Sequence, residues 1–202
     1  IEGAFAVVVA TDSPFKTIQD LLAEGKRSPG TISYGSAGVG SPTHMAGAQM
    51  GQMAGINIVH IPYKDASQVI VDTVSGTLPM GMAGTSTAMS LIQSGKLRAL
   101  AVTASKRIPA LANVPTLDEV GLRGYDVTSP IFALTRAGTP VATVSELSRI
   151  MLEAANTPEF LEMAAKLGYV MDLQDHAKVR ANFPGQFAKW KRLVEVSGAK
   201  PE

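Results

Sequence analysis

The stretch Tyr34 to Gly47, reading YGSAGVGSPTHMAG, collects residue types that can hold a negatively charged oxygen pair. Gly35, Gly38 and Gly40 let the backbone come close to a bound group. Ser36, Ser41 and Thr43 bring hydroxyls, Ala37 is small, and His44 falls in the first turn of the helix that Ser41-Pro42 begins. The first turn of a helix has unpaired N–H groups and a partial positive charge, so carboxylate and phosphate both fit. Carboxylate fits better. A P-loop places Lys after its last glycine, where this chain has Ser41-Pro42, and G-x-G-x-x-G is not matched. The same residues also fit a plainer role, with Ser41 only capping a helix, the glycines only permitting a turn, and His44 only packing.

The elements that would carry this loop read as strands alternating with helices. AFAVVVA predicts a strand over Phe5–Ala10, and Thr17 caps a helix through Ile18, Leu21 and Leu22 that Gly25 ends. TISYGS is a strand, and the helix after the loop runs to Gly55. INIVHIPY is a strand, DASQVIVDTVSG a helix, TLPMGMAG a short strand, STAMSLIQSG a helix and LRALAVTA a buried strand. A short helix is expected at TLDEVG, then an extended run, YDVTSPIFALTRAG. From Pro140 the chain turns helical, with Val144, Leu147, Ile150 and Met151 as one apolar stripe. EFLEMAAKLG is a further helix, YVMDL a short strand, and the last helix is long and interrupted. The alternation predicts an α/β fold, a mainly parallel sheet with helices on both faces, and a boundary near Gly124.

Composition excludes several function classes. Among 202 residues, 46% are hydrophobic and 17% charged, which describes a globular chain with a substantial core. A net charge of +1 with no stripe of Lys and Arg argues against nucleic acid. Lys189, Lys191 and Arg192 around Trp190 read as the solvated face of a terminal helix. With no cysteine, there are no disulfides, thiolate metal sites or thiol nucleophiles. His44, His60 and His176 have no ligand spacing, so neither a metal nor a cofactor is expected. The opening residues lack the features of a signal peptide, and no apolar run is long enough to span a membrane.

TISYGSAGVGSPTHMAG, IVHIPYKDA, SGKLRALAVTASKRIPALANVPTLDEVGLRGYDV and AGTP, in that order, resemble the Bug-type substrate-binding receptors of tripartite tricarboxylate transporters. The resemblance covers nearly the whole chain. It implies a periplasmic-binding-protein-like (type II) fold of two α/β lobes, with a small organic carboxylate in the cleft between them. It implies no catalysis and no cofactor, delivery to membrane permease subunits, and a periplasmic location, with a signal peptide expected upstream. Residues 1–124 are then a complete lobe two, and residues 125–202 the returning part of lobe one. Roughly the first third of a family member is expected to be missing. The apolar faces of Val144, Leu147, Ile150 and Phe160 would then lack a sheet to pack on.

Carried over residue by residue, the anion loop comprises Ser36, Ala37, Gly38, Gly40, Ser41 and His44, with Tyr63 and Lys64 matching a PYK segment. Lys64 reads as a solvated lysine. A second ligand-facing loop departs from the family's MFDNLPSA-like pattern: GMAGTSTA puts Ala83 at the acid and supplies Thr85, Ser86 and Thr87. Thr85 and Thr87 are expected to contact ligand, and the lost acid suggests a ligand without an ammonium group. Pro130 replaces a common aromatic in the return strand. Two other functions compete: a sensing receptor of the same fold, and a serine hydrolase with Ser86 as nucleophile and His176 as base. The hydrolase is disfavoured because G-x-S-x-G needs glycine where Ala88 stands.

Overall fold

In the computed structural model, which describes residues 1–200, one strand threads the whole fold. That strand, β1 (Glu2–Ala10), belongs to a mixed sheet with order β3-β2-β4-β1-β5. Its neighbours are β2 (Ser33–Ser36), β3 (Val59–Pro62), β4 (Met80–Gly84) and β5 (Leu97–Val102). β2 runs parallel to β3 and β4, but β1 is antiparallel to β4 and β5. The expected mainly parallel sheet is therefore corrected to a mixed one. The alternation of strands and helices identified the layers but could not reveal that the first strand runs opposite to its neighbours.

β1 is buried from Ala4 to Ala10, the near-continuous apolar run of a strand covered on both faces. Alternate residues serve opposite cores, as the two-residue period of a strand requires. Phe5, Val7 and Val9 pack with Ile18 and Leu21 of α1 (Ile18–Arg27) and Met45, Ala46 and Met50 of α2 (Pro42–Ala54). Ala4, Ala6 and Val8 pack with Ile70 of α3 (Ala66–Val74) and Ala88 and Met89 of α4 (Thr85–Gln93). Burying each valine contributes about 1.5–3 kcal/mol.

α1 extends past Gly25 to Arg27. Gly25 does not end the helix, because its bare backbone is needed against Ile56, whose Cδ1 would lie 3.0 Å from an added Cβ. α2 follows the sequence closely: Ser41 caps it and Gly55 ends it at φ 64°. No helix forms at residues 116–121, where Thr116 and Glu119 bond to each other's backbone N–H in a turn. A 3-10 turn lies earlier, at Pro109–Leu111.

Residues Glu2–Ala4 leave the main sheet and pair with β6 (Thr128–Pro130), and Glu2–Gly3 also with β7 (Tyr169–Val170). YVMDL thus supplies a strand of two residues only. The remaining elements are α5 (Val141–Ala155), α6 (Pro158–Lys166) and α7 (His176–Ser197). α7 is one continuous helix in spite of Pro184, which removes an N–H. Trp190, Leu193 and Val194 at its far end join the core around α2. Its first half, with α5, leaves large apolar side chains open: Leu147, Ile150, Phe183 and Phe187 are 43%, 48%, 52% and 66% exposed.

Candidate ligand-binding loop

The loop Ala37–Ser41 leaves β2 at the edge where parallel β2 and β4 end and antiparallel β1 begins. The head of α4, the end of β3 and the start of β1 all lie on that edge. Two buried tyrosines fix the helix behind the loop. Tyr34 donates from Oη to the carbonyl of His44 at 3.0 Å, and Tyr125 donates to the carbonyl of Ala46 at 2.7 Å. Burial pushes both phenols well above their ordinary pKa. Gly47 makes room for Tyr34, because a Cβ there would sit 2.1 Å from its ring.

Most of the loop's hydroxyls organise the loop itself. Ala37 N–H donates to Thr43 Oγ1 at 3.1 Å, and His44 N–H donates to Ser41 Oγ at 3.2 Å. Ser41 Oγ in turn donates to the Gly38 carbonyl at 2.7 Å. Ser36, fully buried, lies 3.0 Å from the same carbonyl and 2.6 Å from His60 Nε2. Gly40 N–H donates to His44 Nδ1 at 3.1 Å. The sequence expected Ser36 and Ser41 to offer hydroxyl donors to a ligand and His44 to join them, whereas here both hydroxyls and His44 Nδ1 are paired within the protein. The reason is geometric: two glycines at φ 109° (Gly38) and 74° (Gly40) fold the backbone onto its own side chains.

Three amides remain. Among the described residues, the N–H groups of Gly38, Val39 and Thr43 have no acceptor. Val39, whose side chain is 55% exposed, was not singled out from sequence, because a valine offers only its backbone. The arrangement can present neutral N–H donors at a helix head, which favours a negatively charged oxygen over a cation.

The second loop divides. Thr87 is exposed at the head of α4. Thr85 is buried at 1% exposure, and its Oγ1 shares its proton between the carbonyls of Gly168 at 2.9 Å and Ala4 at 3.1 Å. Thr85 therefore ties α4 to β1 and to the turn before β7, and its expected ligand contact is corrected to a structural one. Ala83 also packs in the core beside Ala6 and Val8. An acid there would face that core, so the position says nothing about an ammonium group. Tyr63 donates to Asp72 Oδ2 at 2.9 Å, and Lys64 is exposed with no ion pair among the described residues. Ser86 and His176 do not meet: the His176 ring lies 3.4 Å from Ser145 Oγ, and Asp175 beside it caps α7. That removes the hydrolase geometry.

No three His, Cys, Asp or Glu side chains cluster to hold a metal among the described residues, and no described helix is long and apolar enough to cross a membrane.

Comparison with known proteins agrees with this architecture. The sequence profile of TctC, the tripartite tricarboxylate transporter family receptor, matches residues 1–199. A UPF0065 protein from the gbd 5′ region of Cupriavidus necator is 32% identical over 96% of this chain and 59% of its own length. Protein BugT of Bordetella pertussis is 28% identical over 98% of this chain and 61% of its own. The chain thus spans about three fifths of these relatives. Among solved structures, periplasmic binding protein BugD superposes with a TM-score of 0.80 at 27% identity, covering 100% of this chain and 68% of BugD. R. palustris Rpa4515, solved with adipate, superposes at 0.89 with 23% identity, covering 100% and 67%. The fold is the mixed α/β fold of periplasmic solute-binding proteins, and the chain belongs to the tripartite tricarboxylate transporter family receptors.

Proposed function

We propose that this chain is the ligand-gripping part of a periplasmic receptor that captures a small organic carboxylate and delivers it to membrane permease subunits. The observation that carries this reading is the trio of unclaimed amides at Gly38, Val39 and Thr43, held on a loop whose serine and threonine hydroxyls are internally paired. A preorganised loop needs little reordering when the ligand arrives, and each hydrogen bond to a charged oxygen contributes about 1.5–3 kcal/mol. Ser36, Ala37, Gly40, Ser41 and His44 shape the loop, and Thr87 faces the same edge from α4. Adipate in Rpa4515, and malate in a further R. palustris neighbour at 20% identity, are those proteins' ligands, and they suit the same chemistry.

In this reading residues 1–124 form lobe two and residues 125–202 the returning part of lobe one. The open apolar stripe of α5 supports that division, because such a stripe needs a sheet to cover it. Closure would bend the crossing strands, near Phe5–Ala10 and Tyr125–Thr128. The test is a thermal-shift screen against mono-, di- and tricarboxylates, since a ligand that binds only the folded state raises the melting point. Some carboxylates should raise it, and Gly38→Val should remove that rise. If no carboxylate raises it, the receptor reading fails.

A further inference from the structure

His44 and His60 are stacked, with ring centroids 3.8 Å apart and planes 19° from parallel. Each ring also reaches the anion loop by a different atom. His44 Nδ1 accepts the Gly40 N–H at 3.1 Å, so that nitrogen carries a lone pair and the neutral ring's proton sits on Nε2. His60 Nε2 meets Ser36 Oγ at 2.6 Å, and Ser36 adjoins the Gly38 carbonyl at 3.0 Å. The stack thus holds both glycines that give the loop its shape.

We propose that the His44–His60 stack is the positioning device of the loop, and that a proton on His44 releases it. A proton added at Nδ1 turns an acceptor into a donor facing the Gly40 N–H, so that bond breaks and the loop loses one of its two anchors. A charged His44 also sits against His60, which keeps the second ring neutral. Burial lowers the pKa of His44, and burial together with His44 pushes His60 down to about 4. Among the described residues, those lining the cavity beside the pair carry no charged side chain. β2 presents Tyr34, whose ring lies 5.1 Å from His60. A cavity of about 180 Å3 beside the rings is lined by Gln52 of α2, Asn57 before β3 and Ser197 of α7, none of them ionised.

The folded state resists the proton that the unfolded chain accepts near pH 6.5. Between about pH 4 and 6.5 the unfolded state therefore binds more protons, so stability rises with pH there and is flat above. The consequence for ligand binding rests on the carboxylate reading above: affinity should fall on acidification, although the added charge alone would attract an anion.

The test needs no ligand. Ring nitrogens of His44 and His60 and the amides of Gly38 and Gly40 are followed by 15N NMR from pH 8 to 4 in the full chain. The Gly40 amide should shift with the midpoint of His44, and its hydrogen exchange, corrected for intrinsic pH dependence, should quicken about tenfold for one lost hydrogen bond. In His44→Asn an oxygen acceptor remains that does not titrate, so the loop amides should stay constant with pH. In His60→Phe a stacked ring remains but the contact to Ser36 Oγ is lost, so the Gly40 amide should still follow His44. A Gly40 amide indifferent to His44 titration overturns the proposal, as do loop amides that still titrate in His44→Asn. Either result leaves the carboxylate reading to be judged separately, by whether the Gly38, Val39 and Thr43 amides move with carboxylate at pH 7.5.

Discussion

Residues up to Thr128 and residues beyond it contain similar kinds of apolar side chain but bury them very differently. β1 buries seven consecutive residues, and α2 buries eight, His44 and Gln49 among them. α5 buries none, α6 only Ala164, and α7 only Leu193. The helix-forming pattern is equally clear in both regions, so the difference is not one of local propensity. Amphipathic helices satisfy their backbones alone, whereas their apolar faces need a partner layer. The first region has one on each side of its sheet. The second borrows one chiefly where the end of α7 meets α2, with smaller contacts at Ala164 and Val170.

Substitutions should separate the regions in order of effect. Gly47→Ala forces a Cβ to within 2.1 Å of the buried Tyr34 ring and should cost about 3 kcal/mol or more, read from urea unfolding. Were it tolerated, the packing of α2 on the sheet would be looser than described. Leu193→Ala should cost about 2–4 kcal/mol, because this buried residue of α7 is locked into the first region's core. Ser41→Ala removes the acceptor for His44 N–H and the donor to the Gly38 carbonyl. Carboxylate affinity should drop about tenfold by calorimetry, with the melting point lowered by the lost cap. Leu147→Ala on open α5 should change stability by less than about 0.5 kcal/mol. A loss as large as that of Leu193→Ala would show that α5 has a packing partner and would erase the contrast between regions.

Much of this was legible in the residues. The Ser41 cap, the Gly55 stop, the order of most elements and the apolar stripe of α5 follow from local chemistry. So did the family resemblance, whose motifs lie across the whole chain. Three things were not legible because they depend on contacts distant in sequence. The antiparallel entry of β1 is set by pairing with Gly81–Gly84 and Leu97–Val102. Thr85 looks like any helix-head hydroxyl until Gly168 arrives beside it. The stacking of His60 on His44 joins residues that alternation assigned to a strand and a helix without relating them. The loop's hydroxyls bond within the protein, and the N–H groups left without an acceptor are backbone groups that no side-chain motif announces.

The central claim is that backbone N–H groups at the head of α2 receive a carboxylate. Backbone amide shifts followed at pH 7.5 during titration with adipate, malate and citrate test it most directly. The account predicts that at least one of them moves Gly38, Val39 and Thr43 more than any other amides. A carboxylate that binds by calorimetry while those three amides stay still would contradict it.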